Sequence, residues 1–369
     1  MPPKKESLIR GSELPPGNDL PKELKPVMDD IELRLSGSDM AWFRPIPTGF
    51  PDLDPLFEGG FFPEDLILVG GPQNVGKTAW ALQAARQIAR SGRKCLYICY
   101  EHSPMVLAER VLCQESDEAG SGFSIGQLHE AYFQAISKKS RMLEEDPSVN
   151  PPGMLDLVSN VLGPSGYQAI SRVDTYWHNL LLVRGDGLLT HIEAIEKYIE
   201  LIRNHYAESF CLFVDYAQRV PVMPRSGVHL DYLQRIDTVL RGLKSFAVKY
   251  HIPVVAVSAA DMEGLRKGHI HIENLWGPVT VQYEPDLCVI LNPISQGLVR
   301  LSVEKNRHGP TDLEWDVNFH GKYYRFDMNM KPVLPSESWQ AERGRLMDRA
   351  VSAENFPDST PVKTLPVKE

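Results

Sequence analysis

From Asp65 to Arg90 three unlike segments follow one another without a linker. They are the apolar run Asp65-Leu-Ile-Leu-Val-Gly70, the loop Gly71-Pro72-Gln73-Asn74-Val75-Gly76-Lys77-Thr78, and the alanine-rich stretch Thr78–Arg90. The run has the length and content of a buried strand. The stretch is dominated by strong helix formers, and the loop matches G-x-x-x-x-G-K-[ST]. A strand that turns through a glycine loop into a helix gathers backbone N–H groups and the positive end of a helix dipole at one point, which makes an anion site. Glycine lets the backbone wrap a phosphate without a Cβ clash. The pattern predicts that residues 71–78 cradle a nucleoside triphosphate. Lys77 then reaches the β- and γ-phosphates, and the Thr78 hydroxyl holds Mg²⁺.

The rest of the chain continues the alternation. Apolar runs at 95–100, 178–183, 209–215, 252–258 and 286–291 read as strands, and segments 103–116, 127–145, 154–162, 190–206 and 229–250 read as helices. Strand–helix alternation predicts an α/β fold, a mostly parallel sheet with helices on both faces. Period-two patterns at 298–305, 313–319 and 323–326, with His320-Gly321 as a turn, read as antiparallel hairpins closing that sheet. Two strands end in an acid. Glu101 follows Tyr100, and Asp215 closes Ser209-Phe-Cys-Leu-Phe-Val-Asp. Ligands in such sheets lie beyond the carboxyl ends of strands. Glu101 is therefore a candidate base for an attacking water, or else an acid solvated at the sheet edge. Asp215 is placed to orient Mg²⁺ and its waters.

Residues 1–20 and 331–369 are rich in proline and charge and read as disordered, the tail apart from a short helical stretch near 338–352. Residues 21–36 place Leu24, Val27, Met28, Ile31 and Leu35 on one helical face. That face suits either the chain's own core or a neighbouring subunit. Residues 37–330 read as the main domain. Its segment 116–177 carries few signals.

The formal net charge of -9 excludes a generally basic nucleic-acid coat, so any DNA contact must be local. No apolar run approaches the length of about 18 residues needed to span a membrane. The five cysteines form no C-x-x-C pair and read as buried thiols in a cytoplasmic protein. His269 and His271 have no third ligand nearby in the sequence, so a metal centre is not expected there.

Together these stretches resemble the RecA-like motor domain of replicative hexameric helicases of the DnaB type, from about residue 24 to 327. The resemblance rests on Ile46-Pro-Thr-Gly-Phe-Pro-Asp-Leu-Asp54, on Gly71–Thr78, on Tyr100-Glu101 and on Phe213-Val-Asp-Tyr-Ala-Gln218. It also rests on Lys305-Asn-Arg307 with Gly309-Pro310, and on Gly321-Lys-Tyr-Tyr-Arg-Phe-Asp327. It implies an ATP- and Mg²⁺-dependent ATPase active in DNA replication, assembled as a hexamer, with single-stranded DNA in its pore. It implies Glu101 as general base, and Lys305 and Arg307 as cations reaching a neighbour's ATP. It further implies that the 21–36 helix is a linker packed on the adjacent protomer, and that this helix or the 331–369 tail meets a protein partner. Three departures stand out. Ala259 replaces the Gln that follows Ser in the family. The segment about 142–165 is longer. Only about 20 residues precede the linker-like helix, so the family's N-terminal domain is expected to be missing.

Two functional readings follow. One is a DNA motor, with Arg225, Arg266 and Lys267 in loops 216–228 and 260–280 as candidate phosphate contacts. Each of these also reads as an ordinary solvated surface charge. The other is a non-unwinding ATPase whose nucleotide state controls assembly or partner recruitment in a plasmid, phage or transposon system.

Overall fold

The computed structural model describes residues 22–37, 43–206, 210–223, 230–311 and 313–333. The stretches read as disordered, with the helical stretch near 338–352, lie outside these, except that Lys331–Val333 is a strand. The chain divides into two compact units, Met1–Arg44 and Pro45–Glu369. In the first, the predicted amphipathic helix is α1 (Leu24–Ser36), and none of its residues is buried.

In chain order the large unit contains β1 (Leu66–Gly70), α2 (Lys77–Arg90), β2 (Lys94–Cys99), α3 (Pro104–Glu118), α4 (Ile125–Glu145), α5 (Met154–Leu162) and α6 (Pro164–Asp174). Next come β3 (Leu180–Arg184), α7 (Ile192–Tyr206), β4 (Phe210–Asp215), α8 (Tyr232–Tyr250), β5 (Val254–Val257), α9 (Met262–Lys267) and α10 (Thr280–Tyr283). The chain closes with β6 (Leu287–Ser295), β7 (Leu298–Asn306), β8 (Leu313–His320), β9 (Arg325–Phe326) and β10 (Lys331–Val333). The sheet order is β10-β8-β7-β6-β1-β5-β4-β2-β3, with β9 paired to β8. From β6 to β3 every pairing is parallel, and the pairings from β6 outward through β7, β8 and β10 are antiparallel.

β1 lies at the centre, and its alternation splits the core in two. Ile67 and Val69 join the cluster under α2 and α3, whereas Leu66 and Leu68 join the cluster under α7 and α8. All four are fully buried, and each such side chain contributes roughly 1.5–3 kcal/mol. The lead-in motif is closed by Asp54, whose carboxylate accepts from the Thr48 N–H at 2.7 Å and from the Thr48 hydroxyl at 2.6 Å. This turn seats Phe50 against Trp80 of α2, with stacked rings 5.2 Å apart.

Segment 116–177 holds more order than its sequence announces. α4 starts on a Ser124–Gln127 capping box. Pro164 opens α6, at the position where a missing N–H costs nothing. Apolar residues of α3–α6 make a third cluster, including Cys113, Leu128, Leu157 and Ala169. The 260–280 stretch, read as a loop, contains the short α9, capped by the Asp261 carboxylate on the Gly264 N–H at 2.6 Å.

Candidate active site

The 71–78 loop lies between β1 and α2, as its pattern predicts, and two of its glycines are required by geometry. Gly71 has φ +146, and a Cβ there would fall 2.5 Å from the Leu291 carbonyl oxygen. Gly76 has φ +102, and a Cβ there would meet the Phe326 ring at 2.8 Å. Phe319 and Phe326, stacked 4.5 Å apart, thus roof the loop. Gln83 of α2 holds that roof in place. Its amide donates to the Phe326 carbonyl at 2.9 Å, and its oxygen accepts from the Phe326 N–H at 2.7 Å.

The Lys77 ammonium folds back over the loop and donates to the Gly71 and Pro72 carbonyls at 2.9 and 2.7 Å. Burial pulls its pKa down to about 8, against the opposing attraction of Asp215 and Glu101. Asp215 is buried, and its Oδ2 accepts from the Tyr97 hydroxyl at 2.9 Å. Its Oδ1 has no hydrogen-bond partner. Burial pushes the Asp215 carboxyl up, while the Tyr97 and Thr78 hydroxyls draw it back. The parallel register pairs Cys99 with Asp215, so Glu101 stands just beyond the same strand ends. Lys77, Thr78, Glu101 and Asp215 line one cleft of about 510 Å³ together with Gln73 and Asn74.

The cleft also contains residues that sequence reasoning missed. The Arg110 guanidinium lies 4.6 Å from the centre of the Tyr324 ring, and both line the cleft. Gln114 of α3 secures the same segment by donating to the Tyr324 carbonyl at 2.7 Å and the Ala79 carbonyl at 3.2 Å. Nothing in sequence spacing joins positions so far apart. Ala259 lines the cleft too. Beside it, the Gln218 amide donates to the Ser258 hydroxyl at 2.7 Å and the Trp276 carbonyl at 2.9 Å, and the Gln218 oxygen accepts from the Ala259 N–H at 3.3 Å.

Lys305 and Arg307 are elsewhere. β7 returns antiparallel to β6, and the register pairs Leu287 with Asn306, at the amino ends of the parallel strands and opposite the loop. There the Lys305 ammonium donates to the Gln282 and Tyr283 carbonyls at 2.9 and 2.8 Å, and Arg307 Nε lies 3.3 Å from Asp286 Oδ1. Neither lines the cleft of its own chain. Of the candidate DNA contacts, Arg266 is exposed on α9, Lys267 ends that helix, and Arg225 lies outside the described residues. Among the described residues no helix is long and apolar enough to cross a membrane. All five cysteines are free and buried.

Parts of the chain are similar to known proteins. The family model for the DnaB-like helicase C terminal domain matches residues 45–150. The DNA repair protein RadA of Mycobacterium tuberculosis is 32% identical over 117 residues, which is 32% of this chain and 23% of RadA. The replicative DNA helicase DnaB of Geobacillus stearothermophilus is 21% identical over 283 residues, 72% of this chain and 52% of the relative. The chain thus spans about half the length of that DnaB relative. Among solved structures, a separately solved ATPase domain superposes with a TM-score of 0.60 at 16% identity, covering 82% of this chain and 98% of that one. A DnaB-like replicative helicase, described together with its interactions with primase, gives a TM-score of 0.59 at 15% identity, covering 84% of this chain and 68% of that one. The large unit has the RecA-like fold, and its residues 45–150 are similar to the DnaB-like helicase C-terminal domain.

Proposed function

We propose that the chain is an ATP-hydrolysing, single-stranded-DNA-binding motor of the DnaB type. In this reading it works as a cytoplasmic homo-oligomer, a hexamer by family resemblance, with ATP at subunit interfaces. One observation carries the reading: Lys305 and Arg307 are held at the opposite end of the sheet from their own phosphate loop. Cations fixed there cannot serve their own cleft, and a neighbouring copy is the natural recipient.

Residues 71–78 bind the phosphates. Glu101 accepts the proton of the attacking water. Lys77, with Lys305 and Arg307 of a neighbour, balances charge that develops on the γ-phosphate. The bare Asp215 Oδ1 and the Thr78 hydroxyl suit a hydrated divalent cation. Bound there, Mg²⁺ would supply further charge neutralisation on the β- and γ-phosphates. Arg225, Arg266 and Lys267 remain candidates for contact with the DNA backbone, and α1 or the 331–369 tail for contact with a protein partner.

A second reading has an observation of its own. Ala259 lines the cleft where the family carries Gln, which favours an ATPase that gates assembly or partner recruitment without unwinding. The two readings separate on one pair of measurements: ATP turnover with and without single-stranded DNA, and strand separation on a forked duplex. DNA-stimulated turnover with unwinding is expected for the motor. Turnover indifferent to DNA, with ATP-dependent assembly, would leave only the gated reading.

A further inference from the structure

Beside the cleft, at the carboxyl ends of β4 and β5, lies a patch of alternating aromatic and guanidinium groups. Tyr216 follows Asp215 directly. Its hydroxyl accepts from Arg219 Nε at 3.0 Å, and the Arg219 guanidinium lies 5.7 Å from the ring centre. Tyr232, the first residue of α8, carries the Arg235 guanidinium 5.4 Å from its ring centre. The indole of Trp276 packs against the same tyrosine, with centroids 4.6 Å apart and planes tilted by 30°. Tyr232 and Arg235 line one recess with Ala217 and Gln218, which joins them to the turn carrying Tyr216 and Arg219.

Two features mark this surface as built for a ligand. Trp276 is 46% exposed although Tyr232 backs it. Arg219 and Arg235 are exposed, and among the described residues neither is paired with a carboxylate. Farther along α8, by contrast, Arg241 pairs with Asp237 at 2.9 Å. An open indole packed on a tyrosine that carries a guanidinium suits a polyanion with flat, unpaired bases. A duplex covers those base faces, whereas a single strand offers them.

We infer that Trp276, backed by Tyr232, is a base-stacking platform for single-stranded DNA, with Arg219 and Arg235 on the flanking phosphates. This rests on the proposed reading that the chain binds single-stranded DNA, and it adds recognition of bases to contact with the backbone. The platform is also wired to the cleft. The Trp276 N–H donates to the Ala259 carbonyl at 2.8 Å, and the Trp276 carbonyl accepts from Gln218 at 2.9 Å. Ala259 and Tyr216 line the nucleotide cleft. A base that shifts the indole therefore pulls on the cleft wall through backbone and Gln218, without a side chain at position 259.

The test is fluorescence anisotropy of the full chain with a labelled oligothymidylate, an abasic strand of equal length, and a duplex. Stacking predicts roughly tenfold tighter binding of oligothymidylate than of the abasic strand. Trp276→Ala should remove that difference, and Trp276→Phe should restore most of it. Trp276→Ala should also keep DNA-free ATP turnover while losing stimulation by the oligothymidylate. Replacing Arg219 and Arg235 by Gln should flatten the salt dependence by roughly 0.7 in slope for each phosphate no longer neutralised. Equal affinity of the wild-type chain for the abasic strand or the duplex, or an unchanged preference in Trp276→Ala, overturns the platform and leaves single-strand binding standing. Failure to bind any strand, with ATP turnover intact, overturns the single-strand reading and the platform with it.

Discussion

At the carboxyl ends of the parallel strands polar groups are left open, whereas at the amino ends they are closed. In the cleft, Lys77 is satisfied only by loop carbonyls, and Asp215 keeps one oxygen bare. At the other end Asp286 accepts from the Leu66 N–H at 2.8 Å and Lys244 at 2.7 Å, and also faces Arg307 at 3.3 Å. His308 lies 2.9 Å from Asp65, whose carboxyl burial pushes up to about 6. An unpaired buried group carries a desolvation cost that a ligand can relieve. A fully partnered network holds its members still. In the proposed reading, the open end receives a charged ligand and the closed end holds two cations in fixed positions.

That contrast can be broken in four ways. The largest effect is expected at the open end. Lys77→Ala should lower ATP turnover roughly a thousandfold or more, as loss of a charge-stabilising group does; turnover at the wild-type rate would sink the phosphate-loop reading. At the closed end, Arg307→Ala should lower turnover by roughly a thousandfold while nucleotide binding, followed by equilibrium titration, stays intact. Because the defect is expected in trans, mixing Arg307→Ala with Glu101→Gln protein should recover part of the activity, through interfaces that hold both wild-type groups. No recovery at any ratio counts against a shared site.

Asp286→Ala removes the hub of the closed end, strands the Leu66 N–H and leaves Lys244 with only the Glu64 carbonyl. It should lower unfolding free energy by about 3 kcal/mol in a denaturant titration; a change near zero would mean that the hub holds nothing.

The smallest effect concerns pH. Lys77 titrates at about 8 in the folded chain, below its ordinary value of 10.5. Between those values the unfolded chain holds more protons, so this group adds stability as pH rises through the window. Nucleotide-free protein should accordingly gain thermal stability relative to Lys77→Met from about pH 8 upward, read from paired melting curves. ATP binding near pH 8 should take up a proton, seen as a dependence of calorimetric heats on buffer ionisation.

The strand, loop and helix at 65–90, and the acids Glu101 and Asp215 at strand ends, were legible because each signal is local. Apolar run length, glycine spacing and helix formers act within about ten residues, and parallel alternation then places both acids at one end of a sheet. Residues 163–174 were harder to read. Pro164 suits a turn and a first helical turn equally, and only packing of α6 on α3 and α5 selects the helix.

By itself, then, the sequence determined an α/β unit whose glycine loop joins a strand to a helix, with one acid closing a strand and another just beyond a second strand. Tertiary structure decided which distant groups meet it. The antiparallel return of β7 carries Lys305 and Arg307 away from their own cleft. Docking of Phe326 on Gln83 closes the roof, and Arg110 meets Tyr324 across more than half the chain. Trp276 reaches Tyr232 because backbone and Gln218 bonds fasten its loop to the end of β5. The physical reason is register. Which residues face one another across a sheet or between helices depends on the packing of whole elements, and side-chain spacing along the chain carries no record of it.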